Sequence, residues 1–198
     1  MAPAPAVTID APPSSVWPWL VQMGTDRAGW YSWDLLDNFG RRSANRVHPE
    51  WQEIDLGDRF TGKPDGSESW QVAALEPERF LALRMSLDLR GRQFDPAGQP
   101  PRRYTDSTWG FLLTELPGRR TRLLVSGYWA LRPRWLQHLV GVAVLEPAHW
   151  VMQTRQFASL KRRAEAAPGR AEPEASGRSG RARVAATARR PRSAGRRA

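Results

Sequence analysis

The sequence predicts an α+β domain: a curved antiparallel sheet wrapped around a long C-terminal helix, with two short helices after the first strand. Three observations predict it. The middle of the chain alternates apolar and polar residues in runs separated by Gly/Pro-rich turns, the pattern of antiparallel strands. Residues 133–164 carry helical spacing over the one stretch long enough to cover a sheet. Helix start and stop residues follow the first strand within a few positions. A sheet with one apolar face needs such a cover.

The elements follow in order. Val7-Thr8-Ile9-Asp10 reads as the first strand, stopped by Ala11-Pro12-Pro13. With Ser15 as N-cap, Pro18 falls at the third helical position, where the N–H is unpaired anyway, and Val16, Trp19, Leu20 and Met23 share a face that ends at Gly24. Trp30 to Phe39 reads as a second short helix, because Trp30, Trp33, Asp34 and Asp37 recur at three- and four-residue spacings. Strands are expected at Asp58–Phe60, Ser69–Leu75, Arg79–Asp88, Asp106–Leu116 and Thr121–Leu131, with a long loop from Arg90 to Arg103. In the last hairpin Trp109, Phe111 and Leu113 alternate on one face, as do Leu123, Val125, Gly127 and Trp129 on the partner strand. Pro147 divides the final helical stretch by a kink or by starting a second helix. Lys161-Arg162-Arg163 in its last turn suits the helix dipole.

Charge divides the chain. Its net charge is +10, yet the last 33 residues hold nine Arg against two Glu and carry +7 of it. That segment has too little apolar surface to offset chain entropy, so residues 166–198 are expected to be a disordered Arg-rich tail. Residues 1–6 are expected to be a flexible N-terminus and residues 7–165 one domain. The chain has no cysteine, which excludes disulfides, thiolate chemistry and cysteine-built metal sites. Neither a signal peptide nor a membrane-length apolar run is visible, so a cytoplasmic location is the expectation.

The order of elements and the blocks Ile9-Asp10-Ala11-Pro12, Val16 to Gly24, Arg27 to Asp34, Pro49-Glu50-Trp51-Gln52 with Gly57-Asp58, Glu146 to Met152 and Lys161 to Glu165 resemble the SRPBCC superfamily. This superfamily comprises START-like domains, polyketide cyclase/dehydrase-type proteins and lipid binders. The resemblance spans roughly residues 7–165, with Arg90–Tyr104 as an insertion. It implies a helix-grip fold with a hydrophobic cavity between the sheet and the last helix. It does not imply one reaction, because fold alone does not set function.

Ten tryptophans, all before the tail, serve either as core or as ligand-lining surface. The residues expected to line a cavity are Trp30, Tyr31, Trp33, Trp70, Trp109, Phe111, Trp129, Trp150 and Phe157. In the Asp26–Asp34 block two readings stand side by side. One is a pocket mouth with Trp30, Tyr31 and Trp33 as walls; the other is a structural corner in which Arg27 pairs with Asp34 or Asp37. The acid–base candidates are Asp34, Tyr31, Tyr128 and His149, as a ring-closing aldol needs a base beside a carbonyl and a donor for the enolate oxygen. No metal is expected. His138 and His149 would lie about 16 Å apart on one helix, and no zinc-ligand spacing occurs. No cofactor motif or phosphate loop is present.

The expected function is therefore binding of an apolar or amphipathic small molecule, such as a lipid, isoprenoid or polyketide, in an internal cavity. The alternatives are a cyclase- or dehydratase-like enzyme, and an interaction module whose basic tail contacts nucleic acid or an anionic membrane.

Overall fold

The computed structural model describes residues 4–133 and 146–166. The first part of the expected final helical stretch, the Arg-rich tail beyond Ala166 and residues 1–3 lie outside the described residues.

Six strands form one open antiparallel sheet: β1 (Ala6–Ile9), β2 (Arg59–Thr61), β3 (Ser69–Glu76), β4 (Phe80–Asp88), β5 (Tyr104–Leu116) and β6 (Arg120–Arg132). Their spatial order is β1-β6-β5-β4-β3-β2, so the first strand docks beside the last. The β5–β6 hairpin turns through Gly118 (φ 82) and Arg119 (φ 56), left-handed conformations whose twist matches that of the strands. Its register is continuous from Tyr104↔Arg132 to Leu116↔Arg120. A bulge between Val72 and Ala74 interrupts the β3–β4 ladder.

The alternation expected for the hairpin sets the buried face. Trp109 pairs with Gly127, Phe111 with Val125 and Leu113 with Leu123, and Leu83 and Leu81 continue the row onto β4. Phe111, Leu113, Leu123, Val125, Leu81 and Leu83 are all buried. Against them pack Val16, Trp19, Leu20 and Met23 from the first helical segment. That face is the one the spacing predicts.

Helix α1 spans Pro13–Val21, which moves the expected boundary. Pro12 is the N-cap, Pro13 takes the first helical position, and Pro18 lies inside the helix rather than at its third residue. A proline at the first position fits there because its missing N–H would be unpaired in any case. Ser15 donates its N–H to Pro12 O (2.9 Å) instead of capping.

The second helix is shorter than expected. Only α2 (Asp34–Asp37) is helical, followed later by a 3₁₀ turn at Pro49–Trp51. Tyr31 has φ 61 and Gly29 φ 80, which no helix accommodates. Trp30 and Trp33 therefore do not share a helical face: Trp30 is buried, and Trp33 is exposed. Gly29 is required where it stands, because a Cβ there would collide with the Asn38 side-chain amide.

The last helix, α3, spans Glu146–Ala166 with Pro147 in its first turn. Its C-terminal half is clamped to β1: Lys161 Nζ donates to Thr8 O (2.9 Å), and Asp10 N donates to Glu165 Oε1 (2.8 Å). Leu160 and Ala164 face the core. No helix among the described residues is long and apolar enough to cross a membrane.

Candidate functional site: the layer between the sheet and the last helix

The apolar layer is sealed toward the β5–β6 turn and partly accessible in its middle, and Leu87 and Leu131 bury the next rung beyond. Toward the β5–β6 turn, the rungs Phe111–Val125 and Leu113–Leu123 are sealed beneath α1. One and two rungs further along, the same inward positions are partly accessible. Trp109 and Ser107 on β5, Met85 on β4 and Trp129 on β6 are half-buried, and Gly127 is exposed. β1 pairs with β6 as far as Leu124, and Val125 N donates to Pro5 O just beyond it (3.0 Å). Gly127 places no side chain directly opposite Trp109.

The closed side of this space is aromatic. The Trp109 ring stacks on Trp30 (centroids 5.6 Å apart), tilts against Trp70 (5.7 Å) and meets Phe111 at 4.9 Å. Phe157 of α3, like Trp70 and Trp109, packs against the buried core. Of the expected lining residues, the structure thus brings together Trp30, Trp70, Trp109, Phe111 and Phe157, with Trp129 on the same sheet face. It does not bring Trp33 or Trp150 inside. Both are exposed, Trp150 to 68%.

Polar groups enter from α3 and from the segment after α1. Gln156 Nε2 donates to Trp30 O (2.9 Å), which fixes the strained turn against the helix. Gln153 Nε2 donates to Gln156 Oε1 (3.0 Å). Gln153 Oε1 and Trp109 Nε1 are both buried and meet no partner. A buried acceptor and a buried donor without partners are costly, about 1–3 kcal/mol each, and a bound polar group or water would relieve them. Sequence reasoning did not single out Gln153 and Gln156. Their signal is positional, since residues 153, 156, 157, 160 and 164 form the stripe that faces the core.

The acid–base candidates do not converge. Tyr31 is buried, edge-on to Trp19 (6.0 Å), and its hydroxyl accepts from Gln22 Nε2 (2.8 Å). Burial pushes its hydroxyl well above the ordinary tyrosine pKa, against the Gln22 bond and the Arg163 guanidinium, which lies 4.9 Å from the ring. Tyr31 therefore stays protonated at neutral pH. Tyr128 pairs with Thr108 on the opposite face of the sheet and is exposed. Asp34 accepts from Ser43 N (3.0 Å) and Ser43 Oγ (2.6 Å), a loop-fixing role. The His149 side chain lies outside the described residues. Arg27 makes neither of its expected pairings. It sits over the Phe60 ring (5.3 Å), with Nη1 buried and unpartnered. Asp37 has both carboxylate oxygens buried and no well-formed hydrogen bond; burial pushes its pKa up to about 6, opposed only weakly by the nearby Ser32 hydroxyl and its own backbone N–H. No cluster of three or more His, Cys, Asp or Glu able to hold a metal ion occurs among the described residues.

Two surface hollows lie elsewhere. A cleft of about 410 Å³ is lined by Trp17, Ile54 and Leu75 with Gln52, Glu53, Asp55 and Pro77. A groove of about 320 Å³ crosses the outer face of the sheet between Arg59, Gln71, Arg84 and the 93–96 loop. In that groove Arg84 forms a two-pronged pair with Asp106 (2.9 and 2.8 Å), which lowers the Asp106 pKa. Gln93, in the expected insertion, fastens the loop to Ser69 and Arg59.

The class that fold and site define is an α+β domain with a six-stranded open antiparallel sheet and a C-terminal helix, an arrangement compatible with a helix-grip fold. No protein-family model matches the chain, and no curated protein matches it. Among solved structures it is similar to protein MLL2253 from Mesorhizobium loti, at 23% identity and TM-score 0.40, over 81% of this chain and 96% of that one. It is also similar to hypothetical protein jhp0584 from Helicobacter pylori, at 13% identity and TM-score 0.47, over 78% and 84% of the two chains. A conserved protein from Geobacillus kaustophilus matches at 11% identity and TM-score 0.45, over 80% and 91%. At that level of superposition none of the three bears on what this chain does.

Proposed function

We propose that this protein is a START-like, helix-grip member of the SRPBCC superfamily. In this reading it binds an apolar or amphipathic small molecule between the inner face of its sheet and α3. The observation that carries the reading is the half-open row Trp109, Gly127, Ser107, Trp129 and Met85, in a layer that also holds the unpartnered Trp109 Nε1 and Gln153 Oε1. Apolar walls with a few polar groups are the usual composition of small-molecule sites. An acyl or isoprenoid body would lie along the indoles, and a hydroxyl or carbonyl would meet the orphan donor and acceptor.

Magnitudes favour moderate affinity. About twelve buried methylenes contribute roughly 10 kcal/mol gross at ~0.8 kcal/mol each. Association costs of at least about 4 kcal/mol leave micromolar binding or weaker. Binding is favoured over a cyclase- or dehydratase-like reaction because Tyr31 is buried beside Trp19, Tyr128 is exposed on the outer sheet face, and Asp34 is engaged by Ser43.

The test pairs native mass spectrometry of protein purified without detergent with titration by a fluorescent fatty acid. Saturable quenching is expected, and Ser107→Trp, which fills the partly accessible rung beside Trp129, should abolish it. Ile54→Arg, in the separate surface cleft, should leave it unchanged. Neither bound species nor saturable quenching in the parent protein would refute the reading, as would quenching lost only with Ile54→Arg.

A further inference from the structure

The turn carrying α2 presents its apolar side chains to water. Leu35 is 80% exposed, Leu36 68%, Phe39 55% and Trp33 43%, four large apolar residues within seven positions. Single exposed apolar residues need no explanation, but a contiguous protruding group marks a contact surface. The patch continues onto α3. Arg155 lies over the Trp33 ring (5.0 Å), and Val151, one helical turn before it, is also exposed.

The exposed charges adjoining the patch are arginines. Arg41 and Arg42 follow Phe39 and Gly40 directly, and Arg155 lies over Trp33; all three are exposed. The carboxylates of the same turn are engaged or covered: Asp34 accepts from Ser43, and both Asp37 oxygens are buried. Apolar side chains projecting beside exposed arginines is the arrangement that inserts at a bilayer interface and favours anionic headgroups. We propose that the α2 turn, with the adjoining face of α3, docks on the surface of an anionic lipid bilayer. The inference stands apart from ligand binding, since it needs only an empty protein.

The absence of cysteine makes a site-specific probe simple. Leu36→Cys in the full chain is labelled with an environment-sensitive fluorophore and mixed with vesicles. One set contains phosphatidylcholine alone, and the other phosphatidylcholine with phosphatidylglycerol. Emission should rise and shift to the blue with the anionic vesicles only, and less at high salt. In a parallel sedimentation assay the unlabelled Leu35→Ser/Leu36→Ser protein should bind the anionic vesicles roughly tenfold more weakly than the parent. Both positions are exposed, so an unchanged unfolding curve confirms that the fold is kept. Three results would overturn the proposal. One is no vesicle binding; another is binding without a probe response, indifferent to the leucine substitutions, as the basic tail alone would give. The third is self-association in place of vesicle binding, lost in the double variant, which would assign the patch to an interface between copies.

Discussion

Replacing Asp37 by asparagine should stabilise this protein, and the gain should depend on pH. The carboxyl has a pKa of about 6 in the folded chain against an ordinary value of 3.8, because burial penalises its charged form. Between about pH 4 and pH 6 the folded protein therefore holds a proton that the unfolded chain has released. Stability falls as pH rises through that window, and the cost is fully present at neutral pH. About two pKa units would correspond to roughly 3 kcal/mol. The Asp37 oxygens are covered but the residue as a whole is only half-buried, so screening by nearby solvent reduces this to ~1–2 kcal/mol. Asparagine has the same shape and carries no charge. Urea unfolding followed by tryptophan fluorescence should thus place Asp37→Asn ~1–2 kcal/mol above the parent at about pH 7 and nearly level with it at about pH 4. A variant that is less stable at neutral pH would refute the reasoning. So would a difference that does not change between those two pH values, because it would come from something other than ionisation.

Two further predictions test how the strained turn is held beneath α3. Gln156→Leu removes the donor to Trp30 O in a buried setting, which should cost about 1–3 kcal/mol in the same urea assay and increase hydrogen exchange across residues 28–33. Gly29→Ala forces a side chain into a left-handed backbone against Asn38, so its melting temperature should drop by several degrees, equivalent to ~2 kcal/mol or more.

The parts of the fold legible in the sequence are those fixed by period-2 alternation. Trp109, Phe111 and Leu113 with Leu123 and Val125 set both the inward face and the hairpin register, because a one-residue slip would expose all of them. The helix boundaries were less legible, because Pro12-Pro13-Ser14-Ser15 offers two starts of similar local energy: a serine cap or a proline at the first position. The Trp30–Phe39 stretch misleads for another reason. Its spacing suits a helix, but Tyr31 is pulled into a left-handed conformation by tertiary contacts with Gln22, Trp19 and Arg163 that no local pattern encodes. The same long-range packing decides which candidate site residues gather. Trp30 and Trp109 meet across 79 positions of sequence, while Trp33, three residues from Trp30, faces water. The glutamines of α3 escaped notice because glutamine on a helix reads as surface unless the stripe containing Leu160 is traced back through it.

The central claim is that the interior admits a guest beside Trp109. Nitrogen-labelled tryptophan gives one indole signal for each of the ten side chains, and single Trp→Phe variants assign them. On titration with a medium-chain fatty acid, saturable shifts are expected at Trp109 and Trp129, with Trp17 and Trp51 unmoved. Static Trp109 and Trp129 signals at saturating ligand, or shifts confined to Trp17 in the separate cleft, would contradict it.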